Sequence, residues 1–124
     1  MSGNQHTFEQ TMNQGHSAAW DGQWDQAADY YRLALQARPD DPAALTSLGL
    51  ALYQLCDYNQ ALSYYQRAAR LVPSDPVPVE KISQIFERQG HIRKSVQAGM
   101  QAAELHLKAR DVEKSIAGSI RVLG

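Results

Sequence analysis

The sequence predicts an all-α protein, a stack of helix-turn-helix units finished by one further helix. Three observations carry that expectation. The 124 residues include 17 Ala and 13 Gln against 8 Gly and 5 Pro, a balance that favours helix over turn-rich or strand-rich folds. Apolar residues recur at steps of three and four, and no segment alternates with a period of two. The chain also repeats its own pattern at a spacing of 34 residues.

Taken in order, the periodicity and punctuation place helices at 7–21, 24–37, 42–55, 58–71, 76–89, 92–109 and 111–123, after a disordered tail over 1–6. Leu45, Leu48, Leu52 and Leu55 form an apolar stripe on one face of the third helix. The fourth follows the Cys56-Asp57 turn and carries Tyr58, Ala61, Leu62, Tyr65, Ala68 and Ala69 on its inner side. Arg38-Pro39-Asp40-Asp41-Pro42 closes one helix and opens the next, with Asp41 as N-cap and Pro42 at the first helical position. Val72-Pro73-Ser74-Asp75-Pro76 repeats that punctuation. Cys56 reads as a small turn residue.

The repeat is explicit when Gly15 to Pro39 is set on Gly49 to Pro73. Gly15 falls on Gly49, Trp24 on Tyr58, Ala27 on Ala61, Tyr31 on Tyr65, Ala34 on Ala68 and Pro39 on Pro73. A third copy starts at Pro76, with Ile82, Phe86, Gly90 and Ile92 on Leu48, Leu52, Cys56 and Tyr58, and drifts at Ser95 and Gly99. A period of 34 with small residues at fixed places and a closing proline resembles the tetratricopeptide repeat family. The second copy matches best, with Leu45 in place of the usual Trp and Cys56 in place of the usual Gly. The resemblance implies a right-handed α-α superhelix over 7–124, with repeats at about 8–41, 42–75 and 76–109 and a closing helix at 111–123. Two registers fit the last third: 111–123 is either the first helix of a fourth copy or a second helix. Both predict a break near Arg110-Asp111 and a final amphipathic helix with apolar residues at 112, 116, 120 and 123. That stripe needs cover, which makes the chain either the front of a longer array or a homo-oligomer through the C-terminal helix.

Function is read mostly by exclusion. With 12 Lys+Arg against 13 Asp+Glu, the formal charge of −1 supplies no electrostatic footprint for nucleic acid or an anionic membrane. The opening residues have no basic-then-apolar leader pattern and no window is apolar enough to span a bilayer, so the expectation is a soluble, cytoplasmic chain. One cysteine allows no intrachain disulfide. His6, His16, His91 and His106 show no metal-ligand spacing, and the glycines form no phosphate cradle. No enzyme, metal or cofactor is expected.

A protein or peptide partner is expected instead, since solenoids present an extended concave surface. The family resemblance places the groove on the first helix of each pair: Glu9, Met12, Asn13, His16, Ala19 and Trp20, then Ala43, Thr46, Ser47, Leu50, Tyr53 and Gln54, then Val77, Glu80, Lys81, Gln84, Glu87 and Arg88. The candidate groove residues are Met12, His16, Trp20, Leu50, Tyr53, Gln54, Lys81, Gln84 and Arg88. Family members that grip a C-terminal carboxylate use a set of Lys, Asn and Arg. This chain has Met12, His16, Ser47, Val77 and Lys81 there, so only Lys81 keeps the charge and such a clamp is disfavoured. For Trp20 and Tyr53, groove and packing roles are level: Trp20 can pack on Trp24 instead. For Leu50 a plain surface role is favoured.

Overall fold

The computed structural model describes the backbone over residues 2–123 and side chains over 7–112. Its elements are α1 Ser2–Trp20, α2 Trp24–Ala37, α3 Pro42–Gln54, α4 Tyr58–Leu71, α5 Pro76–Arg88 and α6 Ile92–Leu123. Each helix packs on the one before and the one after it, so the chain is a solenoid of three hairpins. The tail expected over 1–6 falls outside the residues whose side chains are described.

Caps and turns follow the repeat. Asp41 accepts from the Ala44 amide at 3.0 Å, Asp57 from Gln60 at 3.3 Å and Asp75 from Val77 at 3.0 Å, each satisfying an amide that has no intrahelical partner. Pro42 and Pro76 open α3 and α5, where their missing N–H costs nothing. Within every hairpin the turn residue is left-handed: Gly22 has φ 76°, Cys56 φ 63° and Gly90 φ 80°. The following amides close the turns on Ala18, Leu52 and Phe86 at 2.8–2.9 Å, the Schellman arrangement. Cys56 thus holds a conformation that the other two copies assign to glycine.

Inside the hairpins a small residue on the first helix meets a large one on the second. A Cβ on Gly15 would lie 2.5 Å from the Tyr31 ring, and one on Gly49 2.9 Å from Tyr65. The third copy keeps the 34-residue register but not the chemistry, with Ser83 and Gly99 at these two positions. Without a tyrosine to pack, α5 and α6 are tied by reciprocal hydrogen bonds: Ser83 Oγ donates to the Ser95 carbonyl at 2.8 Å and Ser95 Oγ to the Ser83 carbonyl at 2.9 Å. Ser95 occupies the place of Ala27 and Ala61. The apparent drift there is therefore a substitution of packing mode, with no shift in register.

α6 corrects an expectation. It runs from Ile92 to Leu123 without a break at Arg110-Asp111. The reason is visible by superposing the copies: Leu107 stands where α2 and α4 are followed by Pro39 and Pro73. No proline or glycine interrupts 107–117, and Asp111 lies inside the helix. The expected separate closing helix at 111–123 is the end of α6, and the side chains of its stripe at 116, 120 and 123 lie outside the described residues.

Candidate functional site

The candidate groove lies along α1, α3 and α5, whose residues recur in ladders of three: Asn13, Ser47 and Lys81; His16, Leu50 and Gln84; Trp20, Gln54 and Arg88. Its character is set at the C-terminal ends of α3 and α5. The Tyr53 hydroxyl accepts from Arg88 Nε at 3.2 Å. Tyr58, at the start of α4, meets the Tyr53 ring edge-on with centroids 5.6 Å apart, a favoured aromatic geometry. Tyr53, Gln84, Glu87 and Arg88 line an open hollow of about 500 Å³. The bond to Tyr53 raises the Arg88 pKa above its ordinary value, and the hydrogen bond that the Tyr58 hydroxyl donates to Cys56, followed by burial, raises that of Tyr58. The hollow therefore combines the Tyr53 ring with a hydrogen-bonded cation and the exposed Glu87 carboxylate on its rim.

The candidates fall into three groups. Tyr53, Gln84 and Arg88 come together, with Glu87 beside them. Trp20 is 91% exposed, so the packing alternative fails: Trp24 is the indole that joins the core. Gln54 is exposed and Leu50 and Lys81 are half-buried along the same face. His16 is exposed but anchored, its Nδ1 hydrogen-bonded to the Tyr31 hydroxyl at 2.8 Å.

Met12 is a correction, since it is 7% exposed and lies in the hydrophobic cluster with Phe8. Its long flexible side chain reaches back into the core, whereas Thr46 and Glu80 on the same ladder stay half-buried. Glu80 turns toward α6 and accepts from or pairs with His106 Nε2 at 2.6 Å. Tyr58, on the inner side of α4, also meets the Tyr53 ring that Arg88 hydrogen-bonds across repeats, a contact that no local pattern encodes. Among the described residues no cluster of three or more His, Cys, Asp or Glu is placed to hold a metal ion, and no helix is long and apolar enough to cross a membrane.

A ladder of helical hairpins with an exposed aromatic and polar inner face defines a repeat protein of the solenoid class. The tetratricopeptide repeat profile matches residues 12–76, more than half the chain, and the protein belongs to that family. No curated protein matches it by sequence. Among solved structures, the Arabidopsis OM64 TPR domain is 18% identical at a TM-score of 0.78, covering 82% of this chain and 84% of that one. The Yersinia enterocolitica type III secretion translocator chaperone SycD is 14% identical at a TM-score of 0.79, covering 94% and 91%. A chain of the CopN-Scc3 complex is 22% identical at a TM-score of 0.76; 79% of this chain spans only 58% of that one. At these identities the likeness is one of fold.

Proposed function

We propose that the protein is a non-enzymatic interaction scaffold that binds a peptide or a helix of a partner protein along the groove of α1, α3 and α5. The observation that carries this reading is the hollow where the Tyr53–Arg88 pair, Gln84 and Glu87 converge. Trp20 supports it from the other end of the face, because an indole left 91% in water is large apolar area available for desolvation by a ligand. The groove is aromatic at Trp20 and Tyr53 and of mixed charge toward α5. A ligand that fits it presents an apolar anchor near Trp20 and an acidic or carbonyl-rich segment near Arg88. Family membership supports a binding role, as does similarity to a translocator chaperone and to a chain of a two-protein complex.

The test is selection of peptides from a displayed library on the intact protein, followed by titration of those peptides against variants. Tyr53→Ala and Arg88→Ala each weaken binding by about tenfold or more, and Trp20 fluorescence shifts on saturation. Peptides that bind wild type and a Trp20→Ala, Tyr53→Ala double variant equally well refute the groove.

A further inference from the structure

The two ends of the solenoid are chemically different. In α3, Ala44, Leu48 and Ala51 are fully buried between neighbouring helices. Their counterparts 34 residues earlier on α1 are Gln10, Gln14 and Ser17, all exposed. The outer face of α1 is thus polar. The outer face of α6 is not. Ile92 is 60% exposed, Val96 55%, Met100 66% and Leu107 58%, and exposed Ala103 joins them on one face of α6.

The earlier copies show what this face does. The residues equivalent to Ile92, Val96 and Ala103 are Trp24, Ala28 and Leu35 on α2 and Tyr58, Leu62 and Ala69 on α4, and all six pack into the core where the next hairpin stacks. On α6 the same positions remain apolar and lie exposed. The third copy adds to them: Met100 replaces Arg32 and Gln66, and Leu107 replaces Pro39 and Pro73. A face adapted to water is polar, as the exposed face of α1 is at Gln10, Gln14 and Ser17.

We propose that this face is a self-association surface on which two copies pack α6 against α6, antiparallel. The polar front of another copy is a poor complement, which leaves the face itself as the one that matches. The stripe is nearly symmetrical about Met100, with spacings of four and four on one side and three and four on the other. An antiparallel second copy therefore sets Ile92 against Leu107 and Val96 against Ala103, with the two Met100 side chains at the twofold axis. Charge agrees with that direction. Arg93, Glu104 and Asp111 are exposed on one flank of the stripe, and antiparallel packing sets that flank of each copy beside the same flank of the other, carrying Arg93 to Glu104 and Asp111, whereas a parallel pair places the two charged flanks on opposite sides of the seam.

Sedimentation velocity over a concentration series tests the association on the intact chain. The mass rises from 13.8 kDa toward twice that value, while Val96→Glu with Met100→Glu stays monomeric with unchanged circular dichroism, since both side chains are exposed in the single copy. Arg93→Glu weakens association about tenfold, and adding Glu104→Arg to the same chain restores it. In a Cys56→Ala background, Met100→Cys forms a disulfide-linked dimer on mild oxidation; Ile92→Cys does so only together with Leu107→Cys. A wild-type monomer at every concentration overturns the proposal and leaves the stripe to a different protein. Equal cross-linking by Ile92→Cys and Met100→Cys overturns the antiparallel arrangement. The α6 variants retain groove peptides, so failure here and failure of the groove are separable.

Discussion

Cys56 offers a measurement in which one methylene separates the proposed physics from its alternatives. Its φ of 63° lies in the left-handed region, as do those of Gly22 at 76° and Gly90 at 80° in the flanking hairpins. A residue with a Cβ held there costs about 1–2 kcal/mol. Replacing it by glycine recovers that strain and loses about 0.5–1 kcal/mol to the greater freedom of the unfolded chain. Cys56→Gly is therefore expected to stabilise the protein by about 0.5–1 kcal/mol, or about 2–5 °C in Tm for a chain of this size. The side chain is exposed, so little packing is lost. Cys56→Ala removes the same thiol and its contact with Tyr58 but keeps the Cβ, and is expected to be neutral or slightly destabilising. Gly22→Ala and Gly90→Ala provide the reverse experiment: an added Cβ meets nothing within 4 Å at either site, so a loss of about 1 kcal/mol there is backbone strain alone. Thermal melts followed by circular dichroism, with reversibility checked, read all four. A Cys56→Gly variant no more stable than Cys56→Ala refutes the reasoning, because the two differ only in the Cβ.

Other sites give further tests. Gly49→Ala places a Cβ 2.9 Å from Tyr65 and is expected to cost about 1–3 kcal/mol by overpacking, with Tyr65→Phe giving no relief because the clash is with ring carbons. Burial raises the Tyr65 pKa, and that of Tyr31 to a lesser degree, above the ordinary value. The unfolded chain then releases these protons first as pH rises, so stability is full below about pH 10 and falls above it; denaturant titrations at a mildly and a strongly alkaline pH check this, and Tyr65→Phe flattens the dependence. Leu107→Pro restores the residue that follows α2 and α4 and is expected to end α6 early, lowering helical circular dichroism while keeping a cooperative melt. A collapse of the whole fold would show instead that the distal half of α6 supports the hairpins.

The hairpins were legible because their determinants are local or strictly periodic. Asp41, Asp57 and Asp75 cap helices within their own segments, and the Gly-Tyr pairs recur at a fixed spacing that a sequence displays directly. The groove was legible only as a face. Which side chains on it stay in water depends on their reach and on neighbours in adjacent repeats. Met12 and Trp20 show the difference, since both occupy groove positions, yet the flexible thioether folds into the core and the indole remains outside. Leu107 is a local signal for the long α6, because it stands in place of the proline; the polar pair Arg110-Asp111 suggests a break that nothing there enforces.

By itself, the sequence determined the fold class, the repeat length, the position of every hairpin turn and the small-to-large pairing that lets helices approach, because each is fixed by backbone chemistry within one unit of 34 residues. Tertiary structure decided what happens between units and at the ends. It joined Tyr53 to Arg88 across repeats, exchanged a tyrosine contact for reciprocal serine hydrogen bonds in the third hairpin, and left Ile92, Val96, Met100 and Leu107 on one uncovered face. These outcomes depend on which surfaces meet, and a stripe of apolar residues states that it must be covered without stating by what.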